Sequence, residues 1–424
     1  MKVSLAGMNH TEEKTPAVHW AWVILVVCFV NLFVNYGIRL GYGVVLPEMI
    51  RTLGLTRTQA GDIFNAYLLV YICLSPFIGY LTDRMGARRV ISFFGILLGL
   101  GTFFLGTAKS FWQACLFFGI AGMGASAMWA PIMTIVQGWF ALRKRGMALG
   151  LLSTGFGLGY AVEGRMFPVI VEHWSWRYCW YFLGIAALVM VVVNGFALRS
   201  KPEDIGLQPW GSRPGGGSPS PVSTKVRSPR GRLSEILTTS RFWIIGFSYM
   251  IAAFSLYPLT TYMVDYARYN LGFPFEKASF LATVHGLGQI VGVLTIPLLS
   301  DHIGRRLTLA LNNLMIAAFI ACLLLSGTHE LALFFSVGIF GAYYGVTFPM
   351  YGACGGDYFR KETMGTVIGA WTPLYGLGAI GGNRLAGYLR DVTGSFTLPF
   401  LVTIFTALIA SLLMLCLRVD DKRK

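Results

Sequence analysis

Gly79-Tyr80-Leu81-Thr82-Asp83-Arg84-Met85-Gly86-Ala87-Arg88-Arg89 closes one long apolar stretch of this chain, and Ser300-Asp301-His302-Ile303-Gly304-Arg305-Arg306 closes another. The two aspartates lie 301 − 83 = 218 residues apart, about half of the 424 residues. Gly119 and Gly122 correspond to Gly338 and Gly341, and Gly146 and Gly150 to Gly365 and Gly369, each at an offset of 219. A further pair of runs, Gly157-Leu158-Gly159-Tyr160-Ala161-Val162-Glu163-Gly164-Arg165 and Gly376-Leu377-Gly378-Ala379-Ile380-Gly381-Gly382-Asn383-Arg384, ends in arginines 384 − 165 = 219 residues apart. The chain reads as a duplication.

What is duplicated is a set of membrane spans. Hydrophobic residues make up 55% of the chain and charged residues 12%. A spanning helix needs about 20 apolar residues. Twelve segments qualify, near 19–44, 58–82, 88–107, 111–139, 145–171, 176–198, 241–267, 277–300, 306–327, 330–357, 363–389 and 395–417. Gly and Pro inside the longer ones predict tilt or bending. Residues 200–233 interrupt the pattern with Pro214-Gly215-Gly216-Gly217-Ser218-Pro219-Ser220-Pro221 and then Lys225, Arg227, Arg230 and Arg232. Such a segment buries too little apolar surface to fold and reads as a linker.

The expected organisation is a tail over 1–18, a six-helix bundle over 19–199, the linker over 200–233, a second six-helix bundle over 234–418 and a tail over 419–424. The fold class is an all-α membrane protein with twelve transmembrane helices in two pseudo-symmetric bundles. A parallel repeat of this kind puts a substrate site near mid-membrane between the halves.

The net charge of +15 would suggest nucleic acid in a soluble protein. Its distribution gives another answer. Arg84, Arg88 and Arg89 follow the second span, Arg143, Lys144 and Arg145 the fourth, Arg305 and Arg306 the eighth, Arg360 and Lys361 the tenth, and Arg418, Lys422, Arg423 and Lys424 the twelfth. The opposite loops carry few or balanced charges, such as Arg390 with Asp391. This positive-inside asymmetry predicts a multi-pass protein of the cell (inner) membrane with both termini and the linker cytoplasmic, and no nucleic-acid partner. Residues 1–18 lack the apolar core and cleavage site of a secretory signal. The seven cysteines show no metal-like or disulfide-like spacing, and no P-loop or nucleophile constellation occurs. Neither an enzyme nor a cofactor nor a metal is expected.

Charges inside or beside the spans are the functional candidates. Asp83 lies where the second span meets its loop, placed to pair with Arg84, Arg88 or a neighbouring helix, with Gly86 permitting the tight turn. The motif residues Gly79, Asp83, Arg84, Gly86, Arg88 and Arg89, echoed by Asp301, Gly304 and Arg305, are expected to hold the cytoplasmic side closed and release it. Arg39, Arg165 and Arg384 each sit in an apolar span, where a cation costs roughly 2.5–3.5 kcal/mol and marks function by default. A guanidinium offers a bidentate fit to a carboxylate, so all three are expected to bind an anionic substrate. The alternatives are snorkelling or an outer gate, because each lies about 20 residues, or ~30 Å of rise, from the cytoplasmic start of its span.

Glu163 stands two residues before Arg165, a turn of about 200° on a helix, so the two side chains do not face each other. Glu163, Asp62 and His285 are the proton-coupling candidates, Asp62 being also a possible gate partner. His285 repeats the position of Tyr67 (285 − 67 = 218), and both can present hydrogen-bonding groups to a cavity. Asn383 adjoins Arg384. Tyr36, Trp129, Tyr257, Tyr262, Tyr343, Tyr344, Trp371 and Tyr375 are aromatics able to wall a small site, of which Tyr257 and Tyr343 are taken as contacts. Glycines of spans four, five, ten and eleven permit close helix approach and sliding.

The run Gly79 to Arg89 resembles the loop 2–3 signature of the major facilitator superfamily, and the twelve spans with a central loop fit it over nearly the whole chain. Within that superfamily the chain is similar to bacterial relatives of monocarboxylate transporters and the oxalate/formate group. Trp139-Phe140-Ala141-Leu142-Arg143-Lys144-Arg145-Gly146-Met147-Ala148-Leu149-Gly150 and Gly37-Ile38-Arg39-Leu40-Gly41-Tyr42-Gly43-Val44 carry this likeness. The resemblance implies that Arg39 helps to handle the anion. The chain departs from it in span eight, where the family's acid and arginine would fall at Gln289 and Val293, and in span four, where an arginine would fall at Phe118. It also lacks the Gly-Pro signature of drug antiporters in span five.

These readings converge on a secondary transporter of a small organic anion, a mono- or dicarboxylate, working by alternating access with protons or a counter-anion. The partners expected are that anion, protons or the exchanged anion, and the lipid bilayer, with the chain acting as a monomer. Drug or metabolite efflux, and a non-transporting sensor of the same fold, are the alternatives.

Overall fold

The computed structural model describes residues 19–212, 236–360 and 363–417. Both tails, the linker from 213 on, and the charges Lys225, Arg227, Arg230, Arg232, Lys361, Arg418, Lys422, Arg423 and Lys424 lie outside the described residues. Thirteen α-helices make up the described chain. They are α1 Trp20–Leu53, α2 Arg57–Met85, α3 Ala87–Leu105, α4 Phe111–Ala125, α5 Ala130–Trp139, α6 Leu142–His173, α7 Trp176–Ala197, α8 Ser240–Tyr269, α9 Phe275–Ile303, α10 Arg305–Ser326, α11 Glu330–Tyr358, α12 Met364–Thr393 and α13 Thr397–Cys416.

Local chemistry sets the boundaries. Gly54, at φ 63°, ends α1. Thr56 and Gln59 then form a reciprocal capping box that starts α2, satisfying N–H groups that the first turn leaves open. Gly86 at φ 84° joins α2 to α3, and Gly304 at φ 85° joins α9 to α10, so the turn in each repeat needs the one residue without a Cβ. The fourth span, expected to be continuous over 111–139, is divided into α4 and α5. Pro131 has no N–H to donate and its ring excludes the carbonyl four residues back, so the helix stops and restarts there.

Ten spans are long and apolar enough to cross a membrane, α4 and α5 counting together. The remaining two of the twelve, α6 and α12, carry the glycine-rich runs that end in Arg165 and Arg384, and those glycines and charges make them less apolar. α6 packs on α9, α12 on α2, and α1 on α8, and these three contacts join the halves. Within each half the same pairings recur. α1–α6, α2–α4, α3–α4, α3–α7 and α1–α7 are matched by α8–α12, α9–α11, α10–α11, α10–α13 and α8–α13. The duplication legible in the sequence is thus a duplication of packing.

The first residues of the expected linker are docked. Trp210 donates its N–H to the Trp139 carbonyl at 2.9 Å, and its ring meets those of Trp22 and Phe140 edge-on.

Candidate functional site

Between the halves lies a cavity of ≈ 60 Å³, lined from α1 by Tyr36 and Arg39, from α2 by Tyr71, from α8 by Tyr257, from α9 by Gln289, from α11 by Tyr344 and Phe348, and from α12 by Thr372 and Tyr375. Trp129, in the break between α4 and α5, and Phe156 of α6 complete an apolar end. Their rings pack at 5.1 Å, and Trp129 meets Phe348 at 5.2 Å.

Arg39 is the one charged residue on this wall, and it is 8% exposed. Its guanidinium donates to the Tyr257 hydroxyl. It also lies 5.2, 5.7 and 5.8 Å from the ring centres of Tyr71, Tyr257 and Tyr36, within cation–π range. Its Nε has no hydrogen-bond partner. Arg39 and Tyr257 are 218 residues apart, so they occupy equivalent places in the two repeats. The cavity therefore offers a cation held by aromatic faces and one hydroxyl, with no carboxylate on its wall.

The other candidates lie elsewhere. Tyr67 and His285, fully buried, stand one layer behind. Tyr67 packs beside Tyr71 and Phe118, and His285 Nδ1 is 3.0 Å from Gln289 Nε2. The Tyr67 hydroxyl and His285 Nε2 both lack a partner. Phe118 is buried among Tyr42, Tyr67 and Trp180. Asn383 is fully buried with both side-chain polar atoms unpaired, outside the cavity lining. Tyr344 lines the cavity, whereas its neighbour Tyr343 does not. Trp371 and Tyr262 are structural, donating to the carbonyls of Phe242 and Arg57 at 3.1 and 2.9 Å.

Arg165 and Arg384 do not reach Arg39. Each makes an ion pair across the halves near the face opposite the basic loops. Arg165 pairs with Glu276 at 3.1 Å, and Arg384 with Asp62 at 3.0 Å, both arginine side chains being more than half exposed. Asp62 is thus a partner of Arg384. Arg165 and Arg384, expected to bind the anion, do not line the cavity, because the helices carry them past it to the seam.

That seam contains charges sequence reasoning had not singled out. Arg57 of α2 makes a two-pronged pair with buried Asp265 of α8, at 3.1 and 3.3 Å. Glu48 of α1 binds Arg268 of α8. Asp391 of α12 accepts from the backbone N–H groups of Arg57 and Thr58 at 2.9 and 2.8 Å, capping α2 from the other half. A signal did exist: Glu48 and Asp265 are 265 − 48 = 217 residues apart, close to the repeat offset. Close glycine contacts accompany the charges. A Cβ on Gly157 would strike the Gly286 backbone, one on Gly164 the Thr283 backbone N, and one on Gly61 the Tyr262 hydroxyl.

The basic face is different. Cβ atoms on Gly146, Gly150, Gly365 or Gly369 would meet nothing within 4 Å, so the glycines expected to permit close approach here face open space. Asp83 and Asp301 are exposed and make no ion pair among the described residues. The expected pairing of Asp83 with the loop arginines is absent. Arg88 donates instead to the Gly195 carbonyl, and Arg305 to Asp357 and the Ala353 carbonyl at 2.7 and 3.0 Å. The halves meet at one face and part at the other.

Glu163 of α6 is 2% exposed, and its Oε2 has no partner. Its carboxyl lies where Cβ atoms on Gly37 and Gly41 of α1 would stand. Arg39 is two residues from each of these glycines, about 200° around the helix, so α1 separates acid from base.

The sequence profile of the Major Facilitator Superfamily matches residues 28–380 and 245–424. The chain is 23% identical over 90% of its length to a Cupriavidus necator protein named "Probable sulfoacetate transporter", covering 90% of that protein. It is 24% identical over 96% of its length to mouse monocarboxylate transporter 12, covering 87% of it. The fold resembles the crystal structure of a bacterial homologue of the human lysosomal transporter Spinster in an inward-facing conformation. The TM-score is 0.68 at 16% identity, over 93% of this chain and 95% of that one.

Proposed function

The chain belongs to the major facilitator superfamily and is a multi-pass membrane transporter, not an enzyme, and we propose that it moves a small organic anion, a mono- or dicarboxylate, by alternating access. The observation that carries this reading is Arg39, buried between the halves and held by tyrosines with no carboxylate beside it. A buried guanidinium without a counter-charge is costly, and an anion entering the cavity supplies one. The names of relatives that carry sulfoacetate and monocarboxylates agree in charge.

In this proposal the basic face is cytoplasmic, the chain acts as a monomer in the cell membrane, and bundles 19–199 and 234–418 rock about the cavity. The structure then corresponds to the cytoplasm-open state. Arg57, Asp265, Glu48, Arg268, Asp62, Arg384, Arg165 and Glu276 form the closed outer gate. Gly79, Asp83, Arg84, Gly86, Arg88 and Arg89, with Asp301, Gly304 and Arg305, engage when the inner side closes. A proton-coupled cycle has Glu163 and His285 as its buried ionisable groups outside the ion pairs of the seam, whereas anion exchange requires neither.

Flux of labelled lactate, oxalate and related acids into proteoliposomes, with and without internal acid and with and without a pH gradient, tests the reading. Carboxylate flux that falls in Arg39→Gln is expected. Absence of flux for every acid under every loading sinks it.

A further inference from the structure

We propose that Glu163 is the proton-binding site of this carrier, housed in a groove that Gly37 and Gly41 open in α1 and electrically matched to Arg39 on that helix's other side. The inference rests on the reading of the Arg39 cavity as an anion site.

The groove is specific to one half. The counterpart of Glu163 in the second repeat is Gly382 (382 − 163 = 219), where a Cβ would strike the Phe254 carbonyl of α8. At that matched crossing α12 therefore meets α8 through a glycine. In the first half the small residues are on α1 instead, and the space they leave is filled by a carboxyl group. Packing at this crossing is solved without an acid in one repeat, so packing does not explain the acid in the other.

The surroundings supply no cation. α1 presents the two glycines and turns Arg39 away. Tyr160, one turn back on α6, and Cys179 on α7 are titratable side chains beside it. Neither is cationic. A carboxyl enclosed in this way holds its proton until α1 and α6 shift and water reaches it. The change of state that alternating access requires is a movement of these central helices, so ionisation and reorientation are linked.

Charge balance fixes the coupling rule. With a monovalent anion on Arg39 and a proton on Glu163, the core is neutral. With neither, Arg39 and ionised Glu163 again sum to zero. Either ligand alone leaves a net charge in the closed core, which a low-dielectric interior disfavours. The neutral states cross, so one proton accompanies one monovalent anion.

The test uses the full-length protein in proteoliposomes and, from the preceding panel, the acid that the wild type carries. A one-unit pH gradient drives about tenfold accumulation through a one-to-one symporter, because one unit is a factor of ten in proton activity. Glu163→Gln is expected to abolish this accumulation, while anion-for-anion exchange, which needs no proton release, survives, and Glu163→Asp restores part of the gradient response. Infrared difference spectra of the purified protein with that anion bound provide a readout independent of flux: a protonated-carboxyl band at neutral pH that Glu163→Gln removes. Accumulation by Glu163→Gln equal to wild type, or a carboxyl band unchanged by the substitution, overturns the proposal. A wild type that carries no acid at all sinks the anion reading itself, a failure visible before any Glu163 variant is made.

Discussion

Two kinds of arginine occupy the interface between the halves. At the seam, Arg57, Arg268, Arg165 and Arg384 each pair with a carboxylate of the opposite half. At the centre, Arg39 meets tyrosine rings and a hydroxyl. A paired arginine has its counter-charge built in and serves to hold; an arginine without one is ready to receive. The same side chain thus closes one end of the pathway and defines the ligand in the middle.

Removing a seam carboxylate gives the largest expected effect. Asp265→Asn leaves Arg57 without its buried partner and is expected to weaken the closed outer face by about 3 kcal/mol, the lower part of the range for breaking a buried pair. Accessibility of cysteines introduced at the outer ends of α1 and α8 measures this opening; unchanged labelling would mean that the seam does not hold the gate.

Arg39→Gln is next. Losing a charge-assisted interaction worth about 1.5–3 kcal/mol predicts anion binding weaker by roughly 10- to 150-fold, read by calorimetry or flux. Wild-type affinity in that variant would place the anion elsewhere. Gly157→Val pushes a side chain into the Gly286 backbone and is expected to cost about 1–3 kcal/mol by overpacking, seen as a lower melting temperature and more outer opening. Smallest are Arg165→Gln and Arg384→Gln, whose exposed pairs are worth about 0–1 kcal/mol each. A tenfold affinity loss in either would erase the distinction between the two kinds of arginine.

The repeat was legible because a duplication leaves residues at a fixed offset, and 218–219 recurs in the glycines, the arginines and the loop aspartates. Apolar runs gave the spans for the same reason that they fold: a helix in lipid satisfies its own backbone. The direction in which each intramembrane charge points was not legible. Depth follows from counting residues, and two readings stayed open for Arg165 and Arg384 because counting gives no azimuth. Their azimuth depends on the crossing of α6 with α9 and of α12 with α2. Glu163 was visible as an isolated acid, whereas Gly37 and Gly41 stood out only within the run that carries the family likeness. That the acid and those glycines belong to one site depends on tertiary packing.

Tyr257 facing Arg39 carries one more consequence. Residues at equivalent places in a duplicated chain, when they touch, touch across the axis that relates the copies, much as a two-fold dimer contact brings a residue against itself. Had both copies kept arginine there, the two guanidinium groups would repel at contact distance. The two halves differ at this one point, a charge in one and a neutral hydroxyl in the other. With one cation on the axis, a monocarboxylate is neutralised by Arg39 alone, whereas a dicarboxylate brings a second charge that a proton has to cancel.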